Sequence, residues 1–140
     1  MTQTFSTAAV FNIQNGDELT WNVLPLLHEV KHALQNLLEN GETAIIDLRS
    51  IPLAPGEEDK IIVALGEGEV KAQLNALGPS EIIETQYAGV WLVTHFNDEK
   101  DIIGRFIEVT FMPDILKSQA EDITIAYNEL TLKLEEQTEK

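Results

Sequence analysis

His28-Glu29-Val30-Lys31-His32 has the H-E-x-x-H spacing in which two histidines one helical turn apart hold a zinc ion and the glutamate acts as base on a metal-bound water. Hydrolysis by that route needs a third ligand and a cleft, and the chain has one further histidine, His95. At about 100° per residue, a helix through this segment turns His28 and His32 well away from the apolar stripe Val23, Leu27, Val30, Leu34, Leu37 and Leu38. The pair therefore reads first as part of a solvated face. A small metal-binding protein or zinc hydrolase using His28, Glu29 and His32 stands as the alternative. The chain has no cysteine, which excludes disulfides, thiolate zinc and iron–sulfur ligation, and a cysteine nucleophile. No resident cofactor or metal is expected.

Three other segments carry chemistry-bearing residues. Leu65-Gly66-Glu67-Gly68-Glu69-Val70 projects two carboxylates from a backbone that its glycines allow to approach a neighbour closely. It lacks the Gly-Lys-Ser/Thr of a phosphate loop, and reads as a helix stop and strand entry ahead of a recognition loop. Asp47-Leu48-Arg49-Ser50 sets an acid and a guanidinium at a strand end, a pairing that more often fixes a loop than catalyses. Gly89 to Phe96 is apolar on both faces: Trp91, Val93 and His95 share one, and Val90, Leu92 and Phe96 the other. In the following run Phe106 goes with Glu108, and Ile107 with Val109. One face should meet helices; the second must be covered by an N-terminal arm, another subunit or a client protein. His95 alone reads as a structural or edge histidine.

The elements that must position these residues follow from periodicity and punctuation. Residues 1–21 lack sustained periodicity and read as an arm, preceding one domain over 22–138 within a single-domain chain of 140 residues. A helix runs from Asn22 to a stop at Asn40-Gly41, and a strand from Glu42 to Leu48. A second helix opens near Pro55 with Glu57, Glu58 and Asp59 at its positive end, and closes at Gly66. Gly68 to Leu77 reads as a strand. Two β-rich runs follow, Glu81–Phe96 and Ile102–Phe111, joined by Asn97-Asp98-Glu99-Lys100; they become a meander if Ala88-Gly89 breaks the first. Ser118-Gln119-Ala120-Glu121 is a capping box for a terminal helix striped by Ile123, Ala126, Tyr127, Leu130 and Leu134. The expected architecture is α+β: two layers, with a mainly antiparallel sheet packed against N-terminal and C-terminal helices.

Charge narrows the partners. Nine Lys and Arg against 24 Asp and Glu give −15, and no basic patch is visible, so neither nucleic acid nor an anionic membrane is an expected partner. The opening Met1-Thr2-Gln3-Thr4 has no leader pattern and no run reaches a membrane span, so a cytoplasmic location is expected. An apolar second sheet face makes a homodimer reasonable.

Ile46-Asp47-Leu48-Arg49-Ser50-Ile51-Pro52-Leu53, then Leu65-Gly66-Glu67-Gly68-Glu69-Val70, Glu84-Thr85, Gly89-Val90-Trp91, His95 and Ile107-Glu108-Val109 resemble, in order, the C-terminal domain of the HupH/HyaF-type hydrogenase expression/formation family. The likeness spans residues 23–123 and omits the histidines of the H-E-x-x-H segment. It implies a cytoplasmic, non-enzymatic accessory protein in maturation of nickel–iron uptake hydrogenase, working with other maturation proteins. The implied client is a hydrogenase subunit precursor, with the iron–sulfur small subunit as the candidate. Among the matching positions, Glu67, Glu69, Trp91, His95 and Glu108 are the expected client contacts. Full-length members of the family carry a preceding region, whose activity is not implied here.

Overall fold

A computed structural model describes residues 22–76 and 78–138; the arm expected over 1–21 lies outside the described residues. Helix α1, Val23–Asn40, ends where Gly41 enters the left-handed region at φ 71° and its N–H donates to the Leu37 carbonyl at 2.9 Å. Its buried residues are Val23, Leu26, Leu27, Val30 and Leu37. Leu38 is 80% exposed, contrary to the expected stripe, since adjacent residues on a helix diverge by about 100° and Leu37 already faces the core.

Strand β1, Ala44–Asp47, runs into a 3₁₀ turn at Leu48–Ser50, and α2 covers Glu57–Leu65. Gly66 stops α2, its N–H donating to the Ile62 carbonyl at 3.0 Å. Strands β2 (Lys71–Leu74), β3 (Ser80–Glu84), β4 (Val90–Phe96) and β5 (Ile102–Val109) follow, then a 3₁₀ turn at Asp114–Leu116 and helix α3, Ala120–Thr138. The run expected over Glu81–Phe96 is broken, as the glycine signal suggested: Thr85–Gly89 reverses the chain, Gly89 sits at φ 90°, and the Thr85 N–H donates to the Val90 carbonyl. All neighbours in the sheet are antiparallel, in the order β1-β5-β4-β3-β2, so β2 to β5 form a meander and β1 returns to its far edge.

The α+β class and antiparallel sheet are as expected; the distribution of cover differs. On one face Ile46, Val90, Leu92, Ile107 and Val109 pack with residues of α1 and with Ile61, Ala64 and Leu65 of α2. On the other, Ile82, Trp91 and Val93 are buried with Ala72, Leu74, Phe106 and Leu116 against them. The second face is thus largely closed at its centre. The terminal helix buries none of its residues, so the C-terminal layer expected from its stripe is not packed on this sheet.

A buried carboxylate joins the two core helices. Glu57, 2% exposed, accepts from the Ala54 N–H at 2.7 Å, the Asn22 side-chain amide at 3.0 Å and the Asn22 N–H at 3.3 Å. Next to it Glu58 bridges two arginines, 2.9 Å from Arg105 Nη1 and 4.0 Å from Arg49 Nε, while Arg105 Nε donates to the buried Thr94 hydroxyl. These contacts tie α2 to the sheet and to the 3₁₀ turn.

Candidate functional site

The candidate contacts are arranged in rows across the second sheet face. Glu84 on β3 pairs with Trp91 on β4, Trp91 with Glu108 on β5, and Glu108 with Ile45 on β1. Residues opposed in register lie about 4.5–5.5 Å apart at Cβ, so this row sets an indole between two carboxylates. Four residues along β4, His95 pairs with Ser80 on one side and Gly104 on the other.

Trp91 is 5% exposed and its indole N–H donates to the Thr110 carbonyl at 3.1 Å. Its expected role as an exposed client contact is therefore corrected: alternation places it on the second face, and that face is filled around it. Trp91→Phe should cost about 1 kcal/mol, mainly by removing the donor to Thr110, and denaturant titration of the pair of proteins measures it.

Glu108 is half-buried. Burial first, and then the nearby Asp114 carboxylate, push its pKa above the ordinary glutamate range, with His95 pulling the other way. An acid whose pKa is raised by folding stabilises the fold below the unfolded pKa and loses that contribution as pH rises through the folded one. Glu108→Gln should therefore match the parent in thermal stability near pH 4 and exceed it near pH 7, when melting is followed across about pH 4–7. Asp114, the source of the repulsion, carries no sequence signal that would have joined it to Glu108.

His95 is half-buried and engaged, its Nδ1 2.7 Å from the Ser80 hydroxyl and its ring edge-on to Phe106 at 5.7 Å between centroids. A Cβ at Gly104 would stand 3.1 Å from the Phe106 ring, so the glycine makes room for this pair.

Glu67 and Glu69 are exposed on a segment whose backbone is pinned. The Gly68 N–H donates to the Glu84 carbonyl at 2.7 Å, the Glu84 N–H to the Val70 carbonyl at 2.9 Å, and the Gln86 N–H to the Leu65 carbonyl at 2.9 Å. The helix-stop reading of Gly66 holds, and the same bonds hold the backbone of the segment against the Glu84 end of β3. Glu67 and Glu69 thus form an exposed acidic margin on the segment whose backbone is bonded to β3, while Glu84, Trp91 and Glu108 make up the row on the second sheet face. His95 sits apart, toward the other end of β4.

Asp47 caps its 3₁₀ turn, accepting from the Arg49 N–H at 2.9 Å and the Ser50 hydroxyl at 2.7 Å; the serine bond chiefly holds its pKa below the usual range. This is the loop-fixing role. His28 and His32 are exposed on α1, which covers the first sheet face, while His95 belongs to the second. Among the described residues no three His, Cys, Asp or Glu side chains are grouped to hold a metal ion. The zinc-hydrolase alternative therefore gains no third ligand from this arrangement.

Residues 20–136 match the family described as the HupH hydrogenase expression protein, C-terminal conserved region. The chain belongs to the HupH hydrogenase expression family. The structure of hydrogenase expression protein HupH from Thiobacillus denitrificans is similar at 40% identity with a TM-score of 0.79, covering 82% of this chain and 96% of that one. The α+β HupH fold is therefore shared. Two curated relatives are hydrogenase expression/formation protein HoxQ of Azotobacter vinelandii, 29% identical over 73% of this chain, and HupQ of Azotobacter chroococcum, 31% identical over 69%. The chain spans about a third of their length, 37% and 34% respectively. The resemblance read from the ordered HupH motifs is borne out. No helix among the described residues is long and apolar enough to cross a membrane.

Proposed function

We propose that this chain serves hydrogenase maturation as a binding domain, holding a hydrogenase subunit precursor without catalysing a reaction on it. The observation that carries the reading is the acidic margin: Glu67 and Glu69 are exposed on a segment whose backbone is bonded to Glu84, so a client meets two carboxylates presented from an anchored backbone. The names of its HupH, HoxQ and HupQ relatives supply the process. The absence of cysteine supports holding over chemistry, because thiolate ligation of a cluster would have to come from the client. The iron–sulfur small subunit precursor is the proposed client, met in the cytoplasm alongside other maturation proteins. Half-buried Glu108, in register with Trp91 on the second sheet face, is a further proposed contact.

The test reverses the charge of the margin. Glu67→Lys with Glu69→Lys leaves every pinned backbone bond in place, so melting should change little while capture of the precursor from cells maturing hydrogenase falls at least about 10-fold. Undiminished capture by the folded variant would reject this surface.

A further inference from the structure

Helix α3 leaves Ile123, Ile125, Tyr127, Leu130, Leu132 and Leu134 each 55–70% exposed. Most helical stability in proteins comes from packing an apolar face, no residue of α3 is buried, and so much exposed apolar surface on one element marks an interface. Its acids keep off one apolar line, while Ile125 and Leu132 stand among them on the other side. Ala120, Ile123, Tyr127, Leu130 and Leu134 repeat at alternating spacings of three and four, which is a coiled-coil seam. The positions flanking that seam are Thr124, Ala126, Thr131 and Lys133, with no carboxylate among them. All five acids of the helix, Glu121, Asp122, Glu129, Glu135 and Glu136, fall on the opposite arc.

That sorting selects the occupant. A basic client would be met by carboxylates lining the seam, as at acidic docking grooves generally; here they are kept away from it. A helix of a chain carrying −15 can lie against an equally acidic one only if the contact line and its margins are free of like charge. Phe111, Met112 and Ile115, exposed on the segment leading into α3, extend the apolar surface toward the sheet. We infer that α3 is a dimerisation element, two copies of the chain packing through the Ile123–Tyr127–Leu130–Leu134 seam. This places self-association on the terminal helix rather than on the second sheet face, and it does not rest on the client-binding reading.

Light scattering on the full chain at micromolar concentration should give twice the 15.6 kDa of one chain. Ile123→Glu with Leu130→Glu should raise the dimer dissociation constant at least about 100-fold. Because α3 buries nothing in the core, the Trp91 fluorescence transition of that variant should still report a folded domain. Ile125→Gln with Leu132→Gln, on the carboxylate side, should leave the dimer intact. A monomeric parent chain, a dimer that survives the glutamate pair, or a dimer lost only with the Ile125 and Leu132 pair would each overturn the inference. A monomeric parent in which removing residues 1–21 newly exposes α3 to protease would assign the seam to the arm instead.

Discussion

Glu57→Ala should lower the stability of this domain by about 3 kcal/mol, a fall of about 10 °C in melting temperature for a chain of this size. The substitution removes no charge from the surface and little apolar area. It strands donors at Ala54 and on both nitrogens of Asn22, in the junction where the chain enters α1 and α2. Buried donors without partners are costly because water cannot replace the lost acceptor. Glu57→Gln separates hydrogen bonding from charge. Its amide oxygen can replace Oε1, which serves Ala54 and the Asn22 amide, but its NH₂ then faces the Asn22 N–H, so a loss nearer 1 kcal/mol is expected. The neighbours give the contrast: Glu58→Gln should cost about 1 kcal/mol through Arg105, and the exposed Asp59→Ala should change melting little. Equal effects at all three acids would show that the helix dipole, not this junction, sets their contribution.

Gly68→Ala should cost about 2–3 kcal/mol and weaken client capture along with stability. A Cβ there would stand 2.4 Å from the Thr85 carbonyl oxygen and 3.1 Å from Glu84 Oε1. The carbonyl is fixed backbone, so the segment must move, and moving it breaks the 2.7 Å bond from Gly68 to Glu84 on which the placement of Glu67 and Glu69 depends. Gly41→Ala is the matched comparison. It strains a left-handed φ of 71° in open space, far from the acidic margin, and should cost about 1 kcal/mol without affecting capture. Chemical denaturation and quantitative pull-down on both variants distinguish the two glycines. Normal capture by a folded Gly68→Ala protein would show that the carboxylates act without their backbone anchor.

Much of this was legible in the residues because local chemistry and the fold agree. Asn40-Gly41 and Gly66 stop helices where glycine alone relieves the backbone, and Ala88-Gly89 divides a β run at the one place a tight reversal fits. The misreadings share a different cause, which is that burial is decided by elements distant in sequence. Leu38 satisfies a periodic stripe as well as Leu26 does, and only the docked sheet chooses Leu26. Glu57, Glu58 and Asp59 are equivalent as acids at a helix start, yet one is buried, one bridges arginines and one is solvated. Trp91 looked available because an apolar strand face has no stated cover; Leu116 and Phe106 supply part of that cover from later in the chain. The stripe of α3 is not buried on the sheet, since a periodic face does not say which surface it meets.

The strand order has a consequence for synthesis. Strands β2 to β5 each bond to the strand made just before or after them, and can zip as they leave the ribosome. β1 is different: it is made early, but Ala44 to Asp47 pair with Val109 to Phe106, so its hydrogen-bonding edge waits until almost the whole domain has emerged. Closing that long loop is the topologically slow step. During the wait Ile46 and the core side of α1 have no sheet to cover them, which leaves the nascent chain exposed to association until β5 is made.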